Sequence, residues 1–247
     1  MIRIADRVRA PSRLFDQGTN FMSMSSKWMV GIALSSVLLT GCVSKVTEQE
    51  QYSGFLPNYE GLQETTSPSG QKVLRWVAPG FEPGAYSTVV FDQLELYPEP
   101  KPTDRVSMST LKDLQFMANE STRNTLAQQY KVVSSAKLAP EGSRTLIMHA
   151  AITEVSASNE PMHWYEAVPI AAIVGTTQVA MGTRDQIAEV YIEADLIDAK
   201  SGLPVAKMVR KVFGEGLENS ETPITAKDFK AAIKTVSADM QALLSKQ

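Results

Sequence analysis

The chain has 247 residues, with 24 lysines and arginines against 27 aspartates and glutamates, a formal net charge of −3, and a single cysteine. That balance argues against a nucleic-acid partner, whose affinity rests on Lys and Arg neutralising phosphates, and against electrostatic recruitment to anionic lipid. One cysteine excludes an internal disulfide and any zinc site built on several thiolates, so stability has to come from the core.

Residues 1–23 interleave Arg3, Arg7, Arg9 and Arg13 with Asp6 and Asp16 and carry no periodic apolar face. They read as an over-called start, with translation from Met22 or Met24 and Lys27 supplying the positive n-region of a signal. An apolar run from Met29 to Leu38 follows and ends in Leu39-Thr40-Gly41-Cys42. A spanning helix needs about 20 apolar residues, and this run is shorter and is interrupted by Gly31, Ser35 and Ser36. A cysteine directly after Leu-Thr-Gly resembles the bacterial lipobox, which implies cleavage before Cys42, removal of residues 1–41 as a signal peptide, and acylation of Cys42. More than one acyl chain gives stable attachment without help from surface charge. Sorted lipoproteins that carry Asp after the cysteine are retained at the inner membrane. Val43 at that place points to the outer membrane, with the domain facing the periplasm.

Residues 42–72 read as a lipidated tether and surface segment, punctuated by Pro57, Gly61, Pro68 and Gly70. Tyr52, Phe55, Leu56, Tyr59 and Leu62 recur too densely for a free linker, so part of it is expected to pack back onto a single domain at 73–247. Within that domain Val73–Val77 and Thr88–Tyr97 are strand candidates, the second ended by Pro98, Pro100 and Pro102. Ser109 or Thr110 can cap a helix running to about Tyr130, with Asp113 complementing its dipole and Leu111, Leu114, Met117, Ala118 and Leu126 forming its stripe. Leu146–Val155 is a further strand. Ile187–Ala199 alternates most clearly, Val190, Ile192, Ala194 and Leu196 facing one way and Glu189, Glu193 and Asp195 the other, which predicts a sheet whose second face meets water. The turn Asp198-Ala199-Lys200-Ser201-Gly202 should close a hairpin onto Leu203–Phe213. Thr225 caps a last helix whose stripe is Phe229, Ile233, Val236, Met240, Leu243 and Leu244. The order lacks regular strand–helix alternation and predicts an α+β fold: a mostly antiparallel sheet with two helices packed on one face.

The string Tyr52-Ser53-Gly54-Phe55-Leu56-Pro57-Asn58-Tyr59-Glu60-Gly61-Leu62, then Leu74-Arg75-Trp76-Val77-Ala78-Pro79-Gly80 and Tyr86-Ser87-Thr88-Val89-Val90-Phe91, resembles the opening of a family of proteobacterial lipoproteins catalogued as a domain of unknown function. The resemblance continues to Asp198–Gly202 and so covers nearly all of residues 42–247. Trp76 and Phe91 depart from it, standing where a tyrosine and a polar residue are expected. The resemblance implies a small periplasm-facing domain on a lipid tether and attaches no activity to it.

No nucleotide, metal or cofactor motif stands out. His149 lies in a strand pattern and reads as a hydrogen-bonded structural imidazole. Ser, His and Asp are present without a Gly-x-Ser-x-Gly elbow. The uncharged run Ala167–Met181, edged by His163, Trp164 and Tyr165, reads either as a buried helix-loop or hairpin insertion in the core or as a partner-binding or membrane-touching loop; it is the candidate for a contact with an envelope protein, Ile170 and Ile173 being the residues to test. The sequence therefore predicts an outer-membrane lipoprotein acting as a non-catalytic binding or assembly module, with an envelope hydrolase of dispersed active site as the alternative.

Overall fold

The computed structural model describes residues 45–159 and 186–245. The chain divides between Gly41 and Cys42 into two units, and the second holds all of these residues. Eight strands form one mixed, mostly antiparallel sheet: β1 (Gln63–Thr66), β2 (Lys72–Val77), β3 (Thr88–Val90), β4 (Glu95–Leu96), β5 (Lys131–Val133), β6 (Thr145–Asn159), β7 (Gln186–Asp198) and β8 (Pro204–Leu217). Two helices accompany them, α1 (Met108–Leu126) and α2 (Lys230–Leu244). The fold is α+β.

The sheet order is β1-β2-β8-β7-β6-β3-β5, with β4 also against β6. From β1 through to β6 every pairing is antiparallel. β3 and β4 then run parallel to β6, and β5 runs parallel to β3. Parallel neighbours need a long crossover, and α1 supplies it between β3 and β5. The long β6, β7 and β8 are the clearest apolar alternators and form the middle of the sheet. The apolar cluster gathers Ala150 and Ile152 of β6, Val190 and Ala194 of β7 and Val212 of β8 with Leu111, Leu114 and Leu126 of α1 and Ala232 and Leu244 of α2.

Two elements differ from the sequence reading for identifiable reasons. The expected strand over 88–97 breaks into β3 and β4 because side chains of α1 take its backbone groups. Leu94 N donates to Asn119 Oδ1 (2.6 Å), Gln115 Nε2 donates to the Leu94 carbonyl (2.7 Å), and Arg123 donates to the carbonyls of Phe91 and Asp92. The α1 cap is Ser107, not Ser109 or Thr110: its Oγ accepts from Thr110 N at 3.1 Å. The helix ends at Leu126, where Tyr130 turns inward and donates to the Leu244 carbonyl, tying the end of α1 to the end of α2. At α2 the Thr225 N–H donates to Asp228 Oδ2 at 2.7 Å, and one 3-10 turn, Ala226–Phe229, precedes the helix.

The β7–β8 turn forms where its residues predict. Asp198 Oδ1 accepts from Lys200 N and Ser201 N, Tyr86 Oη donates to Oδ2 at 2.8 Å, and Gly202 takes the positive φ of +69°. The Ser201 N–H and then the Tyr86 hydroxyl hold the Asp198 carboxyl down to about 2, from an ordinary 3.8. A depressed carboxyl stabilises the fold above its ordinary value, and that stabilisation is lost as pH falls through the folded value. Asp198→Ala is therefore expected to cost about 2 kcal/mol near neutrality. The gap to wild type should close as pH falls from 3.8 towards about 2; denaturant titrations across that range measure it.

One expectation is reversed. Glu189, Glu193 and Asp195 are 2%, 1% and 4% exposed, so the acidic face of β7 does not meet water. Buried carboxylates need partners: Asp195 faces His149 of β6, Glu189 has Ser158 of β6 and Lys211 of β8, and Glu193 is met by the segment before β1.

Candidate functional site

The polar face of β7 and β8 is built by strand alternation, which sends Glu189, Tyr191, Glu193 and Asp195 to the side away from Val190 and Ala194. The register sets Lys207 opposite Asp195 and Lys211 opposite Tyr191. Residues 51–60 lie over this layer, with Leu56 buried, and Thr47 just before them is buried as well. Glu193 is the fastening point: Oε1 accepts from Ser53 N at 2.8 Å, and Oε2 accepts from the Tyr59 hydroxyl at 2.6 Å and from Leu56 N at 3.4 Å. Burial, followed by this bond to Glu193, pushes the Tyr59 hydroxyl up to about 12. Gln51 Nε2 donates to the Tyr191 hydroxyl, which itself donates to Glu189 Oε2 at 3.0 Å. Ser158 also donates to Glu189, and Lys211 stands 3.5 Å from it. Lys207 Nζ donates to Asn58 Oδ1 (2.6 Å) and to the Glu60 carbonyl (2.7 Å) beneath the Trp76 ring. Close by, Gly61 has φ +77°, and a Cβ there would come within 2.6 Å of Trp76 Cδ1, so only glycine fits. The acid–hydroxyl–amine set Glu189, Tyr191 and Lys211 is thus sealed under the N-terminal segment.

The opposite side of β7 and β8 carries a cavity of about 340 Å³ beneath α2. Met148, Ala150, Ile192, Ala194, Leu196 and Met208 line it from the strands, and Ile233, Val236, Met240, Leu243 and Leu244 from the helix. Several of these stripe residues, among them Ile233, Val236 and Met240, are only half buried although they point at the sheet. The helix and sheet therefore stand apart along this line. The space opens to solvent beside Val77 and Leu243, so it is a half-open apolar groove, and leaving it empty costs less than a sealed cavity of the same volume would. Water fills such space only where polar partners surround it.

One charged pair sits in the cavity wall. Arg210 of β8 and Asp239 of α2 are both buried, with Nη1 2.7 Å from Oδ2. Asp239 also accepts from Ser69 N (2.7 Å) and Ser69 Oγ (2.8 Å), which ties the β1–β2 turn to the helix. Burial works to raise the Asp239 carboxyl, but the bonds from Ser69 and Arg210 prevail and hold it below its ordinary value. The Nε of Arg210 is buried with no hydrogen-bond partner. Among the described residues no group of three or more His, Cys, Asp and Glu is placed to hold a metal ion.

The lipidation candidate Cys42 and the contact candidates His163, Trp164, Tyr165, Ile170 and Ile173 lie outside the described residues. His149 sits on β6 with Nδ1 3.2 Å from Asp195 Oδ1. That carboxylate raises the imidazole above its ordinary 6.5 against the opposing effect of partial burial. The sequence reading missed Glu193, Arg210 and Asp239. A usable signal existed for the last: Asp239 adjoins the stripe Val236, Met240, Leu243 on an otherwise apolar helix face, where a charge demands a partner.

A small mixed sheet with an N-terminal segment fastened to its polar face defines the class to which comparison with known proteins can be put. Residues 51–240 match the model of a family described as protein of unknown function (DUF3313), and the chain belongs to that family. It is 40% identical over 201 residues to the "Uncharacterized lipoprotein YdcL" of Escherichia coli strain K12, covering 81% of this chain and 88% of that protein. The YdcL of strain O157:H7 matches equally. Solved structures that resemble it include a putative neuraminyllactose-binding hemagglutinin homolog from Helicobacter pylori, 14% identical, with TM-score 0.39 over 68% of this chain and 88% of that one. The PelC dodecamer from Paraburkholderia phytofirmans is also 14% identical, with TM-score 0.35 over 68% and 96%.

Proposed function

We infer that this protein is an outer-membrane lipoprotein, acylated at Cys42 and facing the periplasm, whose domain is a non-catalytic binding or assembly module. The observation that carries the reading is the fastening of the N-terminal segment. Thr47 is already buried five residues after Cys42, so an anchor on that cysteine holds the domain within about 18 Å, the reach of five extended residues. The 40% identity to a protein named a lipoprotein supports the anchor, and the valine after the cysteine supports the outer membrane. Both helices lie on the side of β7 and β8 opposite the fastened segment, which leaves both faces of these two strands covered. The non-catalytic reading rests on the sealing of Glu189, Tyr191 and Lys211 and on the apolar character of the cavity.

Cys42→Ser is expected to leave an uncleaved precursor or to release the domain from the outer-membrane fraction. Unchanged mobility and unchanged sedimentation with outer membranes would defeat the reading. The run 167–181, with His163, Trp164 and Tyr165 beside it, is the proposed partner contact. Cross-linking in intact envelopes should lose its adducts in the Ile170→Asp, Ile173→Asp double variant while the protein persists at normal abundance. Loss of the folded protein instead would make the run core.

A further inference from the structure

The inference deepens the reading of the domain as a binding module by naming what the cavity under α2 takes. Three observations define its ligand. The first is size: counting a methylene as about the volume of a water molecule, roughly 30 Å³, the 340 Å³ cavity holds about eleven chain atoms. That is one medium-length hydrocarbon chain and not the two chains of a phospholipid. The second is charge. Arg75 and Arg210 border the cavity against Asp239, an excess of one positive charge, while the charges of Lys207 and Asp195 turn to the other face of the sheet. The third is an unanswered donor. Arg210 is 3% exposed and lines the cavity, yet its Nε has no partner. Asp239 does not answer it, since Ser69 and Arg210 Nη1 already occupy both of its oxygens. Arg75 pairs across the sheet with Met208, two residues from Arg210 on the same face. The two guanidinium-bearing residues are therefore diagonal neighbours, about 7 Å apart at the backbone, and Arg75 has no hydrogen-bond or ion-pair partner among the described residues.

We propose that this cavity binds a free medium-chain fatty acid, its hydrocarbon chain between α2 and strands β6–β8 and its carboxylate accepting from Arg210 Nε beside Arg75. A carboxylate is small enough for a buried guanidinium edge and is the acceptor that guanidinium geometry fits. The acyl chains of the protein's own anchor are amide- or ester-linked and bring no carboxylate. Val77 and Leu243 border the cavity and are 43% and 38% exposed, which marks the end through which a chain enters.

The test is photo-cross-linking of the full-length protein in native outer-membrane vesicles, using a dodecanoate analogue with a diazirine near its methyl end and an alkyne for detection. The label is expected on the inner face of α2 around Val236 and Met240 and on β8 around Met208. Unlabelled dodecanoate should abolish it, whereas dodecanol, which lacks the charge, should compete about tenfold less well. Val236→Trp, which fills the cavity, should remove the label. Arg75→Gln, which breaks no hydrogen bond or ion pair among the described residues, should weaken it several-fold, with protease resistance of each variant reporting that the fold persists. Competition by dodecanol and dodecanoate on the wild-type protein decides the head group even if a variant fails to fold. Equal competition by the two would overturn the carboxylate assignment. Label spread over exposed residues such as Phe116 and Leu203, indifferent to Val236→Trp, would overturn the site. Label appearing only in Cys42→Ser would show that the anchor's own chain occupies the cavity, and overturns a free ligand. Protein that sediments with outer membranes but takes no label keeps the proposed function and loses this inference, and labelled protein elsewhere does the reverse.

Discussion

Replacing Glu193 with alanine is expected to free the N-terminal segment from the sheet and to lower stability by about 3–5 kcal/mol. The carboxylate is 1% exposed and accepts from two backbone N–H groups and one hydroxyl drawn from residues 53–59. Hydrogen bonds to a charged acceptor contribute about 1.5–3 kcal/mol each, and the three donors would be left without a partner. Removing the charge also leaves Lys207 and Lys211 of the same face with less compensation. The readout is twofold: a lowered midpoint in urea, and new proteolytic cleavage between Glu48 and Leu62 under native conditions. A variant that keeps wild-type resistance there would show that the segment is held by its apolar contacts, Leu56 foremost, and not by the glutamate.

Asp239→Ala is expected to cost a similar amount for a different reason. It strands the Arg210 guanidinium, 3% exposed, in an apolar cavity wall. Breaking one side of a buried ion pair typically costs about 3–5 kcal/mol, while replacing both sides with apolar residues is often neutral. The double variant Arg210→Met, Asp239→Leu should therefore recover most of the loss in equilibrium unfolding. A single variant that loses under about 1 kcal/mol would mean that water reaches the pair and screens it.

Strand alternation and helix stripes made much of this fold readable. Val190, Ile192, Ala194 and Leu196 place β7 and its orientation, and Asp198 with Gly202 places the turn to β8. Alternation distinguishes the two faces of a strand, however, and not what covers them. Glu189, Glu193 and Asp195 read as solvated because the segment that buries them lies 134–140 residues away along the chain. The breaking of the 88–97 strand has the same origin, since Asn119 and Gln115 reach back to Leu94 from another element. At the start of α1 three neighbouring hydroxyls compete as caps, and composition does not choose among Ser107, Ser109 and Thr110. The stripe Ile233, Val236, Met240 was legible as an inward face, but a stripe looks the same whether the surface opposite it touches or stands off. The cavity therefore had no sequence signal beyond Asp239. Aromatic density at Tyr52 and Tyr59 did mark the tether as more than a linker, and those two rings stack at 4.3 Å above the polar face.

The fastening at Glu193 also decides how load passes through the molecule. A domain on a long flexible leash turns freely, and any tug on its anchor is absorbed by the slack. With the proposed anchor on Cys42, the chain reaches the middle strand of the sheet at Ser53, within a dozen residues, and only then travels outward to β1 at the edge. A pull towards the membrane is thus delivered to the stiffest part of the body, while the edge strands stay unloaded. With an acylated Cys42 as proposed, the slack between bilayer and sheet is limited to the few residues before the fastened segment.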